Sequence, residues 1–125
     1  MEKKSRKKIL LIEDSKTILQ ALSSILEANG FMPIVAEDAE SGIEKALLSR
    51  PDLVILDTVL PGMDGFEACQ TLKAKMGDNP PPIIVMTGDI GAINSAQARA
   101  SGANKYVTKT SDFSLLFEAI RKLMK

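Results

Sequence analysis

Five short apolar runs punctuate this chain, at Lys8–Glu13, Met32–Glu37, Leu53–Asp57, Ile83–Thr87 and Lys105–Thr108, and amphipathic stretches alternate with them. No other feature narrows the fold as much. Three of the runs are nearly continuous in Ile, Leu and Val, as expected of strands covered on both faces. Strands alternating with crossover helices call for an open parallel sheet with helices on both sides. The predicted fold is α/β, a doubly wound five-stranded parallel sheet of (βα)5 type, in the flavodoxin-like order 2-1-3-4-5. Its switch point falls between the first and third strands, and ligands of such sheets bind at the carboxyl ends of the strands.

The stretches between the runs read as helices. Ile18, Leu22, Ile25 and Leu26 paint one face of the first, which Ser15 caps and Asn29-Gly30 ends. Ile43, Ala46 and Leu47 mark the second, stopped by Pro51, and Phe66, Cys69 and Leu72 mark the third, which starts near Asp64-Gly65. The fourth is predicted from Ile90 to Ser101, alanine-rich and weakened by Gly91, with Gly102 closing it. The fifth runs from a Ser111 cap through Phe113, Leu116, Phe117 and Ile120 to Leu123 or Met124.

Composition removes several function classes. Lys+Arg and Asp+Glu number 16 each, which argues against a nucleic-acid binder or membrane-surface protein driven by bulk charge. The local exception, "KKSRKK" at 3–8, is expected to be a solvated leader (residues 1–7) ahead of a domain at 8–125. The run "ILLI" is too short for a signal-peptide core, and no stretch approaches a membrane span. One cysteine gives no disulfide framework and suits a cytoplasmic location; Cys69 is expected to be a small core residue. With no histidine, His-based triads and His-ligated zinc are excluded.

The strand ends carry the chemistry. "LVILDTVLPGMDG" (53–65) runs from aliphatic residues into Asp57 and then into turn residues. Alone, Asp57 is as easily a turn former as a reactive group. The first strand, however, ends at Glu13-Asp14, the fourth at Thr87-Gly88, and the fifth leads to Lys109. Carboxylates crowded at one switch point repel, and a Mg²⁺ ion relieves that repulsion through oxygen ligands. The candidate set is Glu13, Asp14, Asp57 and the Val59 backbone carbonyl, completed by waters. Cation, ammonium, hydroxyl and the backbone N–H groups near Thr58 and Gly88 then form a cradle for phosphoryl transfer, with Asp57 as nucleophile.

With "LLIEDS", "PDLVILDTVLPGMDG", "PIIVMTG" and "GANKYVTK" in order, the chain resembles the CheY-like receiver domain of two-component response regulators, from Lys8 to about Leu123. The resemblance implies that Glu13 and Asp14 hold Mg²⁺, Asp57 is the phosphoacceptor, Thr87 the switch hydroxyl, Lys109 the phosphate-pairing lysine, and Tyr106 the aromatic whose rotamer reports phosphorylation. One departure stands out. Thr110 follows Lys109 where the family usually has a proline after a cis peptide, and a non-proline cis bond costs about 3–4 kcal/mol. The acidic pair is Glu-Asp rather than two aspartates, which keeps the charge.

The resemblance further implies a histidine kinase or phosphotransfer protein as donor. It also implies a downstream protein target, or a homodimer, on the face made by helix four, strand five and helix five, with no nucleic acid or membrane bound by this domain alone. It implies a phosphoprotein switch rather than a turnover enzyme. Asp89 and Val59 flank the path of a hydrolytic water and are expected to tune the phosphate's lifetime. Three rival readings share part of this pattern. A flavodoxin-type carrier needs a phosphate loop where "EDSK" stands, and a haloacid-dehalogenase-type phosphohydrolase needs an aspartate where Val59 stands. A degenerate receiver serving as a phosphorylation-independent interaction module is the alternative that the complete acidic site opposes. The chain ends soon after its fifth helix, which leaves a stand-alone receiver and a segment of a longer protein as the two expectations.

Overall fold

The computed structural model describes residues 6–88, 96–109 and 112–124. The strands are β1 (Lys8–Ile12), β2 (Met32–Ala36), β3 (Leu53–Asp57), β4 (Ile83–Thr87) and β5 (Lys105–Thr108). They form one parallel sheet in the order β2-β1-β3-β4-β5, as the alternation of apolar runs predicts. The register sets Leu10 opposite Val54 and Leu56 opposite Val85, so the strands finish nearly level and their carboxyl ends form one rim. The helices are α1 (Lys16–Ala28), α2 (Ala39–Ser49), α3 (Gly65–Lys75), α4 (Ala96–Ser101) and α5 (Ser114–Leu123).

Alternate strand residues feed two cores. Leu10, Ile12, Val54, Leu56 and Val85 pack with α2, α3 and Ala98 of α4 on one face. Ile9, Leu11, Ile55, Ile84 and Met86 pack with α1 and α5 on the other. β3 and β4 are buried along their whole length, which is why both read as nearly unbroken aliphatic runs. Cys69 is fully buried, and burial pushes its thiol up to about 11, in keeping with a core residue.

Local signals set most helix ends. The Ser15 side chain accepts from the Ile18 N–H, and Asp38 and Asp64 do the same for Ser41 and Glu67 at α2 and α3. Gly30 (φ 88) and Gly102 (φ 76) supply the left-handed residues after α1 and α4.

Three expectations need correction. In α1 the buried line is Leu19, Leu22 and Leu26, with Ile18 and Ile25 at its margins. In α2 the buried line is Ala39, Gly42, Ile43 and Ala46, and Leu47 is 37% exposed. Small residues let α2 approach so closely that a Cβ on Gly42 would lie 2.5 Å from the Ile12 side chain, leaving Leu47 on the rim. In α5 the predicted Ser111 cap lies outside the described residues. The helix starts at Ser114 after Phe113 in the left-handed region (φ 57), and Asp112 Oδ1 accepts from the Ser114 N–H. The predicted start of helix four at Ile90, with Gly91, also lies outside the described residues.

One edge of the sheet is β2, partly exposed at Met32 and Val35. The Lys45 ammonium of α2 reaches this edge and donates to the Val35 carbonyl at 2.5 Å. No helix among the described residues is long and apolar enough to cross a membrane.

Candidate functional site

Because β1 and β3 are neighbours, the residues that end them meet. Glu13, one residue past β1, is 2% exposed, and Asp57, the last residue of β3, is 4% exposed. Asp14 stands beside them at the surface. One carboxylate oxygen from each of the three lies within 4.8 Å of the others. Lys109, one residue past β5, reaches back across β4. Its Nζ sits 3.2 Å from Asp57 Oδ2 and 3.1 Å from Glu13 Oε1. The Lys109 backbone is fixed where its N–H donates to the Thr87 carbonyl at 2.8 Å.

The turn after β3 makes room for this arrangement. α3 begins against the end of the strand, with the Gly65 N–H donating to the Thr58 carbonyl at 2.9 Å. A Cβ at Gly65 would lie 2.1 Å from the Asp57 carbonyl oxygen, so any other residue there displaces the backbone that carries the acceptor.

Burial raises the Asp57 carboxyl above its ordinary 3.8, while the Lys109 ammonium and the Thr58 and Val59 N–H groups pull it down without prevailing. Burial also raises Glu13 above its ordinary 4.5, and the Asp57 charge adds to this against the Ser15 N–H and Lys109. For Lys109, burial favours the neutral amine, but pairing with the two carboxylates outweighs it and the pKa lies above 10.5. Three carboxylates thus face one ammonium, and the negative charge is in excess.

That excess fits a hard divalent cation. Glu13 Oε2 accepts from the Ser15 N–H at 3.0 Å, whereas Oε1 is fully buried with no hydrogen-bond donor among the described residues. The Lys109 ammonium, 3.1 Å away, is its charge partner. An all-oxygen donor set with an unsatisfied buried oxygen is what Mg²⁺ accepts. Glu13, Asp14 and Asp57 are the side chains that could hold such an ion.

Thr87, the last residue of β4, is 2% exposed, and its hydroxyl lies 3.1 Å from the Thr58 hydroxyl. Tyr106 of β5 is turned inward. Its ring lies 6.4 Å from that of Phe66, and its hydroxyl donates to the Ala98 carbonyl. The sequence reading expects the rotamer of this ring to report phosphorylation; here the ring lies inward. The Val59 side chain is 73% exposed, and the peptide N–H of that residue acts on Asp57. The Lys109–Thr110 peptide and Asp89 lie outside the described residues. The sequence does not single out the Thr58 and Ser101 hydroxyls. Adjacency to Asp57 is a signal for the first; the second becomes visible only when α4 packs beside β5.

The family model for the response regulator receiver domain matches residues 9–121. The chain belongs to that family. This receiver is 30% identical over 117 residues to Protein PilH of Pseudomonas aeruginosa, covering 94% of the chain and 97% of PilH. It is 32% identical over 117 residues to the transcriptional regulatory protein CseB of Streptomyces coelicolor, covering 94% of the chain and 49% of CseB. The receiver therefore spans about half the length of that relative. Among solved structures it is similar to the response regulator protein TrrA of Thermotoga maritima in complex with Mg²⁺-BeF. There the TM-score is 0.85 at 32% identity, covering 94% of this chain and 98% of that one. Family membership decides against the flavodoxin and dehalogenase readings, and nothing favours a degenerate receiver.

Proposed function

We propose that this receiver takes a phosphoryl group onto Asp57 from a phosphohistidine of a histidine kinase or phosphotransfer protein. A carboxylate oxygen of Asp57 attacks phosphorus. The O–P bond forms as the N–P bond breaks, and the departing imidazole keeps the electron pair and takes its proton from solvent. Bound through Glu13, Asp14, Asp57 and the Val59 carbonyl, Mg²⁺ would supply charge neutralisation for the phosphoryl oxygens. The observation that carries the reading is the buried Asp57 carboxylate at a strand end, 3.2 Å from the Lys109 ammonium and within reach of two further carboxylates.

The chain's own residues divide the remaining work. Lys109 pairs with the phosphoryl oxygens, and the Thr58 and Val59 N–H groups donate toward the same side. Thr87 exchanges its contact with the Thr58 hydroxyl for a phosphoryl oxygen. That movement favours the inward position of the Tyr106 ring behind β4. The α4, β5 and α5 face, where Leu115 is 43% exposed, carries the change to a downstream protein or a second copy. We place this switch in the cytoplasm and regard it as a stoichiometric acceptor rather than a turnover enzyme.

Mass spectrometry after incubation with acetyl phosphate and Mg²⁺ tests the proposal. A labile adduct of one phosphoryl group is expected on the wild type and none on Asp57→Asn. An equal adduct on the variant would remove Asp57 from its role.

A further inference from the structure

Four polar side chains are buried among the described residues: Glu13, Asp57, Thr87 and Ser101. The first three end strands at the acceptor site. Ser101 lies at the end of α4, and the phosphoryl-transfer reading leaves its burial unexplained. Its hydroxyl sits 2.7 Å from the Ala98 carbonyl and 3.1 Å from the Tyr106 hydroxyl, and it accepts from the Ala103 N–H at 3.3 Å. The Tyr106 hydroxyl also donates to Ala98. Two hydroxyl protons therefore serve three contacts. Either hydroxyl can donate across the 3.1 Å contact while the other donates to the Ala98 carbonyl, so Ser101, Tyr106 and Ala98 form one small network, joined by the Ala103 N–H donating to Ser101, in which each bond strengthens the next.

We infer that Ser101 is a positioning residue: its hydroxyl anchors Tyr106 in the inward rotamer and ties the aromatic to the end of α4 before any phosphoryl group arrives. The anchor's value for signalling rests on the proposed coupling of Thr87 to Tyr106, but its existence does not. Alanine at 101 removes the hydroxyl, adds no volume and suits a helix, so folding is retained. Losing one net hydrogen bond shifts the inward–outward equilibrium roughly fivefold toward outward.

The chain offers its own probe, because Tyr106 is the only tyrosine and there is no tryptophan. Acrylamide quenching of tyrosine fluorescence is expected to be shallow in the wild type, compared with N-acetyltyrosinamide, and steeper in Ser101→Ala, both read at a temperature well below the cooperative unfolding transition of either protein. Wild-type quenching equal to that of the free model compound would overturn the anchor without any variant. Equal slopes in wild type and Ser101→Ala would do the same. Adding Mg²⁺ with beryllofluoride as phosphoryl mimic is expected to return the variant toward the wild-type slope. If the unliganded slopes differ as stated but the mimic leaves the variant unmoved, the anchor stands and the Thr87–Tyr106 coupling falls.

Discussion

The two ends of the sheet solve opposite problems. At the amino ends of the strands, polar groups are satisfied by local partners. The Lys8 N–H donates to Asp52 Oδ2 at 2.8 Å and its ammonium to the Ser49 carbonyl at 2.7 Å, while Asn104 Oδ1 accepts from the Ile83 N–H at 2.9 Å. At the carboxyl ends, Glu13 and Asp57 are buried with their charges in excess of the one ammonium that bridges them. The first end holds strands in register. The second holds like charges together against their repulsion, using stability that the first end and the two cores supply. The difference teaches where a sheet spends stability on reactivity, and substitutions at each end should therefore have opposite signatures.

The largest effect is expected from removing the bridging cation. Lys109→Ala leaves two buried carboxylates facing each other and should lower stability by roughly 2–3 kcal/mol, less than for a fully enclosed pair because Lys109 is partly exposed. A urea titration in metal-free buffer measures it. Removing a carboxylate should act the other way: Asp57→Asn relieves the repulsion and should raise stability by roughly 1–2 kcal/mol in the same buffer. Mg²⁺ should then narrow the gap, since at ten times its dissociation constant it stabilises the wild type by about 1.4 kcal/mol and the variant by less. A variant less stable than wild type without metal would break the contrast. The smallest effect belongs to the amino end. Asn104→Ala should cost about 1 kcal/mol and leave the yield of the phosphoryl adduct unchanged.

The acceptor site was legible in the sequence because parallel strands advertise themselves as aliphatic runs, and Asp57 and Thr87 are the residues at which those runs stop. Lys109 was legible from its place after the fifth run, but its bridge to Glu13 was not. That contact spans the width of β4 and β3, and no local pattern encodes it. Leu47 misled because helical periodicity marks an apolar position without saying how near the sheet a helix lies, and Gly42 brings α2 closer than leucine permits. Phe113 misled because its apolar side chain continues the α5 stripe while its backbone stands in the left-handed region just outside the helix. Ser101 and Thr58 were invisible for a related reason. A hydroxyl finds its partner through tertiary proximity, and a serine in an alanine-rich segment has the same sequence signature wherever it points.

The Lys45 contact with the Val35 carbonyl has a consequence for assembly. An edge strand with open carbonyls is a template on which a further strand can grow, and a charged side chain seated on one of them obliges any newcomer to strip away an ammonium first. Pairing of two copies through the β2 border is thereby disfavoured, and self-association is steered toward other surfaces.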